Sequence, residues 1–398
     1  IICGKIAERI GQAKLFTVGL VVFSFSSLLC ALSSDLSQLI TFRVLQGLGA
    51  SMMFSVSTAI VFRLFTIKDR GKALGFLGST GGVLVGTFGW QSIFIVNVPI
   101  GLFAALAAVK FLHLEETLSK KFRLDLLGAL LWVVMMAALV LALGDIGNTG
   151  RVGTNTAVLM VVLVAAFILF IRRERGVDEP LLDLSVFRVR RFSLTVLSMV
   201  VFFISMNMVT ILGPFYFEGV LVYDPVTVGF IFMVLPAITM FGSPLVGRIY
   251  YRKRIFPYTT LAHLIRAAAF FMMAYAFMDA NIPLVLIAFA VMGIGTCIFQ
   301  TPNNAELMMA LPMKKSGLAS SIQATTRNLS LAVGVSLATI LMTLMMGSMD
   351  YGAIAGGPLA GELSDSVATA VAFGGVLSLA GAAISRLGEN GTAPARTE

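Results

Sequence analysis

Charge is what this 398-residue sequence has least of: Asp, Glu, Lys and Arg together make up 12% of it. Soluble domains carry about 25%. Here 58% of residues are hydrophobic, with a mean hydropathy of +0.94, which excludes an ordinary water-soluble domain. Cysteine is scarce too: Cys3, Cys30 and Cys297 lie far apart, in or beside apolar runs, so neither a disulfide framework nor a metal site is expected. Two histidines, His113 and His263, cannot make a His-rich centre. No Gly-x-x-x-x-Gly-Lys-Ser/Thr cradle for phosphates occurs, and no nucleophile–base pair or His/Asp cluster points to an enzyme. The sequence starts at Ile1 without Met or a signal peptide, and a trimmed N-terminus is the expectation.

What the sequence does have is long uncharged runs. Leu15 to Ser34 covers 20 residues without a charge, enough to cross a hydrocarbon core about 30 Å thick. Comparable runs cover Leu36 to Phe62 (interrupted by Arg43), Gln91 to Val109, Leu126 to Gly144, Val152 to Ile171, Phe192 to Phe217 and Pro225 to Gly247. Ile255 to Met278 (interrupted by Arg266), Ala280 to Ala305, Ser316 to Met349 (interrupted by Arg327) and Ser366 to Ser385 complete the set. The loops between them alternate in sign. Lys5/Arg9/Lys14, Lys68/Arg70/Lys72, Lys120/Lys121/Arg123, Arg172 to Arg191, Arg248/Arg252/Lys253/Arg254, Lys314/Lys315 and Arg386 form a basic set. Asp35, Asp145, Glu218, Asp224, Asp279, Asp350, Glu362 and Asp365 form the other, with Arg151 its one basic residue. The positive-inside rule places the basic set in the cytoplasm. It also accounts for the net charge of +9 without a nucleic-acid partner. Both ends of the sequence are then cytoplasmic, with 12 crossings between them.

One stretch resists this scheme. Ala73 to Val109 has 37 uncharged residues between two basic loops, which demand an even number of crossings. Two spans of about 20 residues and a turn need more. Thr80 and Gly81 are therefore not expected to be neighbours in the natural protein.

Two polar signatures frame the first long run. Gly4-Lys-Ile-Ala-Glu8-Arg9-Ile-Gly11-Gln-Ala-Lys14 reads as a tight charged loop between membrane helices, and Arg43-Val-Leu-Gln46-Gly47-Leu-Gly49 places a guanidinium about two turns inside an apolar segment. A third stretch is Trp90-Gln-Ser-Ile-Phe94-Ile-Val-Asn97-Val-Pro99-Ile-Gly101. Together they resemble the signatures of the major facilitator superfamily of secondary transporters. The third resembles its 14-span branch, which exports drugs in exchange for protons. The resemblance covers essentially the whole chain. It implies an all-α integral membrane protein: two six-helix bundles plus two extra linking helices, with the first helix and most of the second missing ahead of Ile1. The divisions would be a truncated N-terminal bundle at 1–123, linking helices at 124–175, a cytoplasmic linker at 176–191, a C-terminal bundle at 192–385 and a disordered tail at 386–398. The family's Gly-Pro-rich helix falls where this sequence runs Gly78-Ser-Thr80-Gly81-Gly82, and its Gly-Pro is absent.

The resemblance also assigns roles. Charged loop residues are ordinarily just solvated. The family pattern instead makes Gly4, Glu8, Arg9, Gly11, Lys14 and Arg70 a conformational latch, with Glu8 where the family usually has Asp. Intramembrane ionisable groups default to function, and Arg43 would serve proton coupling; a structural arginine bonded to carbonyls is the other reading. Gln46, Gly47, Gly49, Gly81 and Gly82 would serve helix packing. Trp90, Asn97 and Pro99 are family markers that double as an interfacial anchor and a kink. Asn207, Gln323 and Arg327 are candidates for the substrate cavity. Arg266 and His263 have no family counterpart. The 21 Met and 31 Phe pack helices, and a cavity wall made of them would suit varied apolar ligands. The resemblance implies no cofactor, the proton gradient as energy source, and amphipathic, cationic substrates. It further implies the bacterial inner membrane, a periplasmic adaptor protein as partner and a monomeric transport unit. Metabolite export on the same fold is the alternative.

Overall fold

The computed structural model describes residues 1–64, 92–112, 125–177, 180–252, 257–312, 315–346, 357 and 359–389. Those residues form 13 α-helices and no strand. In the first half come α1 (Ile2–Ile10), α2 (Gln12–Ala31), α3 (Leu36–Leu64), α4 (Ser92–Ile95) and α5 (Asn97–Phe111). A pair follows, α6 (Leu126–Thr149) and α7 (Thr154–Gly176). The second half holds α8 (Arg190–Pro214), α9 (Pro225–Arg252), α10 (Tyr258–Met278), α11 (Ile282–Met309), α12 (Ser316–Met346) and α13 (Ala360–Glu389). Ten of these helices are long and apolar enough to cross a membrane, and α5 is a shorter apolar helix. A helix satisfies every backbone group within its own segment, without water, and that is the structure these runs of about 20 apolar residues take.

Helix ends follow local chemistry. Asp125 caps α6 by accepting from the Gly128 N–H at 3.1 Å, and Asn281 caps α11 by accepting from Leu284 N–H at 3.1 Å. Gly150 closes α6 in the left-handed region, φ 67°. Pro214 cannot donate to the preceding turn, and beyond it the ladder widens into a π turn, Phe215–Val220, with Leu221 N–H donating to Tyr216 O at 3.3 Å.

Two sequence expectations need correction. The Gly4–Lys14 loop is mostly helix: α1 runs to Ile10, and the only turn is at Gly11, whose φ of 96° suits a residue without Cβ. The span expected from Gln91 to Val109 is broken at Val96. Pro99 has no N–H for the Ile95 carbonyl, and its ring crowds that oxygen. The Thr80–Gly81 join lies outside the described residues, as does the tail from 390 onward.

The halves are packed differently. In the first, α2 lies against α3 and α5. In the second, α8, α10, α11 and α13 surround the largest apolar core, which holds Tyr216, Phe217, Phe270, Phe277 and Phe289. The α6–α7 pair sits beside the second half, where Thr343 of α12 donates to Gly147 O at 2.6 Å. The described residues from 180 pack onto the bundle. Leu181, Leu182 and Val186 are buried with Ala59 of α3, Met308 of α11 and Ile322 of α12, at the end of the bundle where the basic loops lie.

Candidate functional site

Arg43 starts the third turn of α3 and is exposed. One terminal nitrogen donates to Gln46 Oε1 at 3.2 Å, and Gln46 Nε2 donates to Ser27 Oγ of α2 at 2.7 Å. The guanidinium also sits over the Phe94 ring of α4, 4.4 Å from its centroid, a favourable cation–π position. The Arg-x-x-Gln spacing places both side chains on one helix face, and tertiary packing brings Ser27 and Phe94 to them. Among the described residues no carboxylate pairs with Arg43. Gly49 is where α2 and α3 touch: a Cβ there would lie 2.6 Å from Phe23 N, whereas one at Gly47 would meet nothing within 4 Å.

Gly4 is held at a contact between halves. A Cβ on it would lie 1.7 Å from Ser321 Oγ of α12. Ser321 itself donates to Gly317 O at 2.8 Å and approaches Ser55 O of α3 at 3.4 Å. So α1, α3 and α12 meet at the basic-loop end, and that end of the molecule is closed between the halves. Arg9 and Lys14 are exposed at the α1–α2 turn, and Glu8 lies in α1. Arg70, Gly81, Gly82 and Trp90 lie outside the described residues. Asn97 begins α5 and Pro99 follows it in the first turn.

The remaining candidates separate. Asn207 spends its amide as a clamp, Nδ2 donating to Leu331 O of α12 at 2.5 Å. Gln323 and Arg327, one turn apart on α12, line a small pocket of about 40 Å³ with Phe54 and Thr58 of α3. Gln323 Nε2 donates to Asn304 Oδ1 at 2.6 Å. Arg327 stands between aromatic faces, 5.2 Å from Phe54 of α3 and 5.9 Å from Phe203 of α8.

A larger cavity of about 490 Å³ opens between α8, α9 and α11, lined by Met206, Phe232, Met233, Met240, Phe289 and Met292 among others. Its lining includes one hydroxyl, Thr210, and no charged side chain. Met is unbranched and polarisable, so such a wall repacks around differently shaped apolar ligands. Nothing in the sequence marked these methionines off from the others; only the meeting of three helices does.

His263 and Arg266 are part of the second half's core. His263 Nε2 is 3.0 Å from Ser198 Oγ, which is 2.7 Å from Ser385 Oγ. Arg266 is 0% exposed, donates to Phe202 O at 3.2 Å and stacks on the Phe202 ring at 3.8 Å. Its charge is enclosed by packing and has no route to a ligand.

Residues 1–335 match the family model described as Major Facilitator Superfamily. Among curated proteins, the riboflavin transporter RibZ of Clostridioides difficile (strain 630) is 30% identical over 344 residues, covering 84% of this chain and 74% of that one. The multidrug export protein EmrB of Escherichia coli (strain K12) is 28% identical over 358 residues, covering 85% and 69%. Among solved structures, the human organic anion transporter MFSD10 superposes with a TM-score of 0.58 over 95% of this chain and 79% of that one. At 16% identity, that likeness bears on the fold alone.

Proposed function

The chain belongs to the major facilitator superfamily, and from that premise we propose that it is a proton-driven exporter of small amphipathic compounds. Its site would be a bacterial inner membrane, with the basic loops in the cytoplasm. The observation that carries the reading is the uncharged Met- and Phe-lined cavity of about 490 Å³, in a bundle closed at its basic-loop end by α1 on α12. In secondary transporters a midplane site is exposed alternately to the two sides as one bundle rocks against the other. In this arrangement export requires the Gly4–Ser321 contact to open for loading from the cytoplasm and to close again for release outside. The proton gradient supplies the energy, and Arg43, held by Gln46 and Phe94, steadies the ionised form of a carboxylate in the transport cycle. A periplasmic adaptor would complete an export path, and one chain suffices as the transport unit.

The test is efflux of a fluorescent dye from cells producing the protein. Expected is faster efflux than in control cells, abolished by a proton uncoupler. Efflux that ignores the uncoupler sinks the reading. Similarity to the riboflavin transporter favours a second reading, metabolite transport on the same site. Riboflavin movement in the same cells, with no dye efflux, would select it.

A further inference from the structure

In the described spanning helices every carboxylate lies within about two turns of a helix end, while three guanidinium groups stand deeper: Arg43, Arg266 and Arg327. Two of the three have a hydrogen-bond partner, although Arg266 Nε and Nη2 have none among the described residues. Arg43 donates to Gln46 and covers Phe94; Arg266 is enclosed on the Phe202 ring and carbonyl. Arg327 differs. It has aromatic faces beside it and, among the described residues, neither a hydrogen bond nor an ion pair. Beside it Gln323 has its amide nitrogen engaged, while its buried Oε1 has no partner. The pocket between them, about 40 Å³, has room for a carboxylate-sized group. Phe203, one of the rings next to Arg327, lies one turn before Met206 on α8, and Met206 lines the large apolar cavity. Arg327 and the apolar chamber therefore border successive turns of one helix.

We infer that Arg327 anchors the head group of an amphipathic organic anion whose apolar body lies in the Met- and Phe-lined cavity. Gln323 Oε1 accepts from a hydroxyl or N–H next to the anionic group. This rests on the exporter reading for the role of the cavity, and it departs from the cation that the family resemblance implies. A cation would meet a guanidinium at the polar end and no charged side chain in the chamber. A carboxylate would meet a planar fork able to bond it twice. The orphaned amide oxygen adds a preference for ligands that carry a donor beside the anion, because a buried acceptor left unpaired is costly.

The experiment is a binding titration of the purified full chain with 3-hydroxy-2-naphthoate, followed by the ligand's own fluorescence. Saturable binding is expected, weakened about ten- to hundredfold in Arg327→Gln, the range for a charge-assisted hydrogen bond. Arg327→Lys, which keeps the charge but loses the fork, should fall between. It also serves where the glutamine variant fails to fold. Gln323→Leu should weaken 3-hydroxy-2-naphthoate but leave unsubstituted 2-naphthoate unchanged. Absence of saturable binding, unchanged affinity in both Arg327 variants, or ethidium binding more tightly than the naphthoate would each overturn the inference. Dye efflux separates the two readings. A protein that pumps ethidium against a proton gradient yet ignores naphthoate keeps the exporter reading and loses this site. A protein that binds naphthoate through Arg327 but moves nothing against the gradient keeps the site and loses the exporter reading.

Discussion

Lys315 Nζ donates to Asp183 Oδ2 at 2.6 Å, tying the segment after the α6–α7 pair to the start of α12. The same carboxylate accepts from Ser185 N–H at 3.0 Å and so caps the short 3₁₀ turn Leu184–Arg188. One bond behind it, Glu174 Oε2 accepts from Leu182 N–H at 2.9 Å. Between these two anchors Leu181 and Leu182 are pressed into the core shared by α3, α11 and α12. The linker thus acts as a stopper at the closed end, held by one pair at its surface.

That pair should be sensitive to acid. The Lys315 ammonium, followed by the Ser185 hydrogen bonds, holds the Asp183 carboxyl down from its ordinary 3.8 to about 2. A depressed carboxylate contributes stability that is present above its unfolded value and lost as pH falls through its folded value. Loosening is therefore expected between about pH 4 and about pH 2. With both partners more than a third exposed, solvent screening keeps the effect local. Protection of the 181–188 amides, relative to their intrinsic exchange rates, should fall over that window, and already at pH 7 in Asp183→Asn. Unchanged protection in the variant would show that the apolar contacts hold the linker alone.

Gly4 gives a sharper test of the seam. In Gly4→Ala the new Cβ would collide with Ser321 Oγ, and overpacking of this kind costs about 1–3 kcal/mol. Thermal unfolding in detergent should show that loss, and Gly4→Ala/Ser321→Gly should recover most of it. A double variant no better than the single one would place the damage elsewhere.

Arg43→Ala is expected to abolish proton-driven efflux in a protein that still folds and binds substrate, because its guanidinium is an intramembrane charge with no carboxylate partner among the described residues. Arg43→Lys should rescue poorly, since an ammonium cannot reproduce the planar contacts with Gln46 and Phe94. Gln46→Leu, which strands Ser27 and frees Arg43, should slow efflux by a smaller factor. Wild-type efflux by the alanine variant at equal expression would refute this role.

Orientation can be read by labelling. With Cys3, Cys30 and Cys297 replaced, cysteines are introduced at exposed Ser185, after α7, and exposed Asn148, at the far end of α6. An impermeant thiol reagent applied to intact cells should modify only Asn148→Cys. Modification of Ser185→Cys instead would invert the proposed topology.

The sequence alone was enough to locate the ten long apolar helices. Leu15 to Ser34, Leu126 to Gly144 and Val152 to Ile171 are uncharged because a charge in lipid is costly, and a helix satisfies their backbone within the segment itself. Arg43 and Gln46 were legible for the same local reason, since three residues of spacing puts them on one face. Gly4 was misread as loop. Its glycine answers to Ser321, more than 300 positions away, and no local pattern records such a contact. The three intramembrane arginines state the difference most plainly. In sequence Arg266 and Arg327 are alike, each a lone cation in an apolar run. Packing encloses Arg266 between Phe202 and Gly295 and leaves Arg327 exposed at the seam between halves, without a hydrogen bond among the described residues. Whether a charge in an apolar run serves the core or a ligand depends on what surrounds it, and those neighbours come from other helices.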